Sequence, residues 1–220
     1  MLSLYGTVTS PFVRRVRIVA DELGIATTLV DVNVPEHAAE FRGLSPVWKV
    51  PVATWRGRTL LDSHTITELL MAEAGPGPLR PFDPLDCGAR NAITVADGAA
   101  DALINGFYLA KDGIAPEQSP YLAKQHQRAA AALAWLDARV RGGQVFANEP
   151  SDVEEPNEVG GDDDEAAHSP TVGLVEIALF TALDWMRFRQ TYPIDRHPNL
   201  VAFLAIHAER PSFAVTRPDA

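Results

Sequence analysis

Thr9-Ser10-Pro11 stands directly ahead of an amphipathic run whose apolar residues recur at Val13, Val16, Val19 and Leu23. Proline suits the first helical position and serine the N-cap, which puts the Ser10 hydroxyl where exposed N–H groups and the positive end of a helix dipole attract negative charge. Such a hydroxyl can serve as a helix cap or as a donor to an anion, and the local sequence by itself favours the cap. A second pair, Asp62-Ser63, opens the run "HTITELLMAEAG". There the helix N–H groups attract a carboxylate, while the acidic side chain can hold an ammonium. Val50-Pro51 lies between the two pairs, with Lys49 beside it.

Other chemistries are poorly supplied. The one cysteine, Cys87, excludes an internal disulfide, dithiol redox chemistry and a multi-thiolate metal site. The six histidines, His37, His64, His126, His168, His197 and His207, show no spacing that gathers ligands on one helix face, so no metal is expected. The formal charge of −10 is concentrated: nine acids and no Lys or Arg lie between Asn148 and His168, and without them the remainder carries −1. A near-neutral body offers neither a nucleic-acid footprint nor a basic membrane face. No uninterrupted apolar stretch is long enough to cross a bilayer, and a cytoplasmic protein is expected.

The elements that must position these residues follow from periodicity. "LSLYG" (2–6) reads as a short strand, 12–24 as a helix closed by Gly24, and "ATTLVDVNV" (26–34) as a β-branched strand, which predicts a parallel pair with a right-handed crossover. Pro51–Trp55 and Thr59–Leu61 read as hairpin arms around Arg56-Gly57-Arg58, followed by the helix that Asp62-Ser63 caps and Gly75 stops. "GPGPLRPFDPLD" (75–86), with four prolines and two glycines, reads as a linker. Beyond it, "CGARNAITVADGAADALINGFYLAKDG", "PYLAKQHQRAAAALAWLDARVRGG" and "GLVEIALFTALDWMRFRQ" read as helices, the last central to a second core. The acidic stretch 148–168 has too few apolar residues to bury and is expected to be a mobile loop.

In this order, "TSPFVRRVRI", "SPVWKVPVATWRGRTLLDSHTI", "ADGAADAL" and "HPNLVAFLAIHAERPSFAVT" resemble the cytosolic glutathione S-transferases over nearly the whole length. The resemblance implies an α/β plus all-α fold: a thioredoxin-like domain at 1–78, a linker at 79–86 and an all-helical domain at 87–220. It implies that Pro51 is cis, turning the Val50 backbone toward the cysteinyl part of glutathione, and that Asp62 and Ser63 hold its γ-glutamyl end. Lys49 would meet the glycyl carboxylate, with Arg14 as a further cation. Ser10 would donate its hydroxyl to the thiolate, Thr9 being the runner-up and Tyr5 a more distant one.

Lowering a thiol pKa from ~8.5 by about two units takes roughly 2.7 kcal/mol. A hydrogen bond to a charged group supplies about 1.5–3 kcal/mol and a helix N-terminus ~0.3–2, which together suffice without a general base. No cysteine stands at 9, 10 or 11, which argues against the thiol-transferase branches. Asn105, Phe107 and Tyr108 are the candidates for a hydrophobic electrophile's pocket. The resemblance further implies a homodimer, and no cofactor besides glutathione as co-substrate. A non-catalytic glutathione-binding or regulatory protein on the same fold is the alternative. One departure stands out: the core helix usually opens with Ser/Thr-x-x-Asp, whereas here it opens Gly173-Leu-Val-Glu176, leaving half a capping box.

Overall fold

The computed structural model describes residues 1–146 and 171–218. Strand β1 (Leu2–Gly6) pairs parallel with β2 (Thr27–Asp31) in register Leu2 to Thr27 through Gly6 to Asp31, and helix α1 (Pro11–Glu22) makes the crossover. β3 (Val52–Trp55) runs antiparallel to β1, and β4 (Arg58–Leu61) antiparallel to β3, giving the mixed order β2-β1-β3-β4. Helix α3 (Ser63–Ala74) packs beside α1. This N-terminal unit is thioredoxin-like. The observed strands begin or end within a few residues of those expected, β2 being shorter than the run 26–34.

Helix α2 (Pro35–Leu44) was not expected from periodicity. Phe41 is its single buried residue, joining Tyr5 and Val52 in a small cluster on that side of the sheet, so its apolar pattern is too sparse to read.

The remainder is helical: α4 (Cys87–Lys111), α5 (Pro120–Asp137), α6 (Leu174–Arg189), α7 (Pro198–His207) and α8 (Pro211–Ala214). α5 stops earlier than its sequence suggests. "VRGGQV" forms a hairpin of β5 (Val140–Arg141) and β6 (Gln144–Val145), because Gly142 and Gly143 both take the left-handed conformation that ends a helix and turns the chain. Asp137 accepts hydrogen bonds from the N–H groups of Asn199 and Leu200, so it caps α7 from a distance where the local N-cap, His197, does not. The acidic stretch 148–168 lies outside the described residues.

α6 is buried on every side from Leu174 to Met186, as an all-round apolar helix must be. Its three buried polar side chains are all satisfied. Glu176 accepts from Gly173 N–H (2.9 Å), Val145 N–H (3.2 Å) and Arg80, so the half capping box is recruited into a wider network. Thr181 donates to Ile177 O, and Asp184 pairs with Arg14 and Arg187. One contiguous core runs from Leu2, Val16 and Ile66 of the N-terminal unit to Leu103, Phe180 and Phe203 of the helical region. Cys87, the first residue of α4, is exposed.

Candidate functional site

Gly6 ends β1 where α1 comes closest: a Cβ on it would lie 2.3 Å from a Val13 methyl. Only glycine lets the first turn of α1 rest on the strand end, and that contact fixes where the N-terminus of α1 points. Ser10, the N-cap, accepts the Val13 N–H at 3.3 Å and is half-buried, as is Thr9. A hydroxyl that accepts through a lone pair keeps its own proton to donate.

The Val50–Pro51 bond is cis. Pro51 is buried, and the β1–β3 ladder ends at the Tyr5–Val52 pair, so Val50 stands just past it. Among the described residues, no backbone group outside the strands bonds to Val50. Lys49 beside it is exposed.

Asp62 holds φ at +76°, a conformation that costs a non-glycine residue roughly 1–3 kcal/mol, and accepts the His64 N–H at 2.8 Å. Ser63 is buried at the start of α3, and its hydroxyl accepts from Arg15 Nη1 at 3.1 Å. Arg15, itself buried, reaches from α1 to Asp97 on α4 at 2.5 Å. His64 Nε2 lies 2.5 Å from the other Asp97 oxygen and 3.1 Å from Arg15 Nη1, so the ring joins the Arg15–Asp97 pair. Burial pushes the Asp97 carboxyl up, but the His64 hydrogen bond and the Arg15 charge outweigh it, so Asp97 stays below the usual carboxylate range. One turn further, Asp101 is raised by partial burial and by the Asp97 and Asp62 charges, with Lys49 opposing. Asp62, Asp97, Asp101, Lys49 and Arg15 therefore share one electrostatic neighbourhood, where α3 meets α4.

The family description "Glutathione S-transferase, N-terminal domain" matches residues 4–78. The uncharacterized GST-like protein YibF of Escherichia coli K12 is 30% identical over 226 residues, covering 99% of this chain and 98% of its own. The chain belongs to the glutathione S-transferase family. Among solved structures, a glutathione S-transferase from Methylobacillus flagellatus with glutathione bound superposes at a TM-score of 0.76 and 23% identity, over 100% of both chains. One from Methylobacterium radiotolerans, in complex with glutathione sulfonate, gives 0.74 and 28%, over 100% of this chain and 95% of its own.

In this glutathione S-transferase family member, two expected residues have other duties. Arg14 is buried, paired with Asp184 and donating to Phe213 O at 3.0 Å, so its guanidinium has no face left for a ligand. Tyr5 points to the α2 side and donates to Glu40; that bond, with burial, raises its hydroxyl to about 12, the wrong direction for a proton source or phenolate. The candidate pocket residues divide. Asn105 lines the groove between α4 and α5, whereas Phe107 packs edge-on against Trp185 of α6 at 5.8 Å and Tyr108 beside it is exposed. Reading the sequence alone missed Arg15, His64, Asp97 and Asp101. Asp97 and Asp101 carry a signal, the i, i+4 spacing of acids within "ADGAADAL", which sets both on one helix face.

Proposed function

We propose that the protein is a serine-type glutathione transferase that joins the thiolate of glutathione to an electrophilic carbon of a hydrophobic small molecule. The observation that carries this reading is the Ser10 hydroxyl: it accepts Val13 N–H, which leaves its own O–H to donate at the N-terminus of α1. Hydroxyl and helix end together favour the thiolate over the thiol, so glutathione gives up its proton to solvent on binding. The sulfur lone pair then forms the C–S bond as the leaving group departs with its electrons. Val50 beyond the ladder end offers its N–H and C=O to the cysteinyl backbone, an added-strand mode of recognition. The strained Asp62 with Ser63 takes the γ-glutamyl end, where an ammonium finds Asp62 and a carboxylate finds the α3 N-terminus. Lys49 takes the glycyl carboxylate. Glutathione is the co-substrate, with no further cofactor.

In this reading the chain divides into a glutathione-binding domain at 1–78, a linker at 79–86 and a helical domain at 87–220, and works as a cytoplasmic homodimer. The same Ser10 cap contact favours a second reading, a non-catalytic glutathione carrier in which Ser10 only starts a helix. Titrating bound glutathione by its ultraviolet thiolate absorbance, alongside conjugation of 1-chloro-2,4-dinitrobenzene and other model electrophiles, tests both. A transferase gives a bound-thiol pKa well below ~8.5 and turnover with at least one electrophile. Binding with an unshifted thiol and no turnover leaves the carrier, and no binding ends both.

A further inference from the structure

The last turns of α4 and α6 bring two cations onto one aromatic ring. Lys111 Nζ stands 4.6 Å from the Phe107 ring centre and Arg189 Cζ 5.2 Å from it, so the two cationic groups are no further apart than the sum of those distances. Tyr108 adds a second ring 5.5 Å from Phe107 and 5.7 Å from Lys111 Nζ, and it is 60% exposed. Phe188 stacks under Arg189 at 4.6 Å, and Trp185 closes the cluster from beneath.

Two cations share these rings, and the cluster holds no carboxylate of its own. Among the described residues Arg14, Arg15, Arg80, Arg187 and Arg210 each have a carboxylate partner, whereas neither Lys111 nor Arg189 has one. The ring faces offset the positive charge in part, but they accept none of the directional N–H bonds of a guanidinium. Arg189 Nε is buried with no acceptor at all. Two cations on one ring system beside the exposed Tyr108, with no carboxylate to accept their N–H bonds, suit a planar ligand that brings its own anion.

We infer that the ends of α4 and α6 form a binding site for an aromatic carboxylate, its ring on Tyr108 and its carboxylate accepting from Lys111 and Arg189. A carboxylate matches the guanidinium fork, and an uncharged amide of the same shape does not. Phe107 and Tyr108 belong to the candidate electrophile pocket, so as a statement of substrate class this site rests on the conjugation reading; as a binding site it stands without it.

The test is a ligand-observed NMR titration of the full chain, without glutathione, comparing 4-nitrobenzoate with 4-nitrobenzamide. The wild type is expected to hold the acid about tenfold more tightly, a difference of ~1.4 kcal/mol. Arg189→Gln and Lys111→Gln each reduce that preference severalfold, and Tyr108→Ala weakens acid and amide alike. Lys124→Gln, an exposed cation on α5, makes the same change in net charge and leaves the preference intact. Equal affinity for acid and amide in the wild type overturns the site, as does a preference untouched by both substitutions or lost equally in Lys124→Gln. Because glutathione is absent, failure here leaves conjugation standing, and a chain that bound no glutathione could still show this preference.

Discussion

Removing the Ser10 hydroxyl separates the two duties that one oxygen can perform. If it is only a cap, Ser10→Ala costs ~1 kcal/mol of stability and leaves turnover per folded molecule unchanged. As the thiolate donor, the same substitution also returns bound glutathione toward its free pKa and slows conjugation by roughly tenfold to a hundredfold, one decade for each ~1.36 kcal/mol. Thr9→Ala is the control, and a pKa shift seen only there would move the donor one residue upstream. At Asp62 the informative change is to asparagine, which has the same shape and still accepts the His64 N–H but has no charge. Glutathione affinity should fall by about tenfold or more while the thermal midpoint holds; unchanged affinity in a binding titration would remove Asp62 from the site. Ser10 and Asp62 could be singled out in the sequence because each announces itself beside its own helix. Arg15, His64 and Asp97 could not: the Arg15–Ser63 and Arg15–Asp97 bonds join residues 48 and 82 positions apart, and no local pattern encodes such a meeting.

At the scale of elements, the site depends on how closely α1 seats against β1. Gly6→Ala drives a methyl into Val13, whose β-branched side chain has little freedom to turn away. The expected cost is about 1–3 kcal/mol in a denaturant titration, and pairing it with Val13→Ala should restore part of the loss. If the single variant is as stable as the wild type, the strand and helix do not meet as described. Most elements were legible because their burial is periodic, or, for α6, continuous. α2 and the β5–β6 hairpin were not, since one buried side chain does not make a period and a helix pattern does not show where two left-handed glycines will cut it.

The whole molecule is held together across its two units by named contacts. α1 meets α6 through Arg14–Asp184 and meets the start of α8 through Glu22, which accepts from Arg210 and Ser212. With a core continuous across the same boundary, thermal unfolding should be a single transition rather than two. Acid should loosen it early. Burial lowers the pKa of His207, in spite of its 2.6 Å hydrogen bond to Gly143 O, so the folded protein resists a proton that the unfolded chain accepts near ~6.5. Stability is therefore complete above that pH and is lost as pH falls through the lowered value in the fold. Glu22 and Asp97, also held low, add their losses at more acidic pH. Urea midpoints measured from pH 7.5 down to 5 should decline below ~6.5, and His207→Gln should flatten the first part of that decline; an unchanged slope would assign it to other groups.

The exposed thiol at the head of α4 has a practical consequence for every assay with an alkylating or arylating reagent. Cys87 is itself a nucleophile open to solvent, so the protein competes with glutathione for the very reagents used to measure it, and intact-mass spectra taken after incubation should show a single added aryl group. The same solitude makes the position useful. A Cys87→Ser background gives silent kinetics, and the natural chain accepts one reporter dye at one known place.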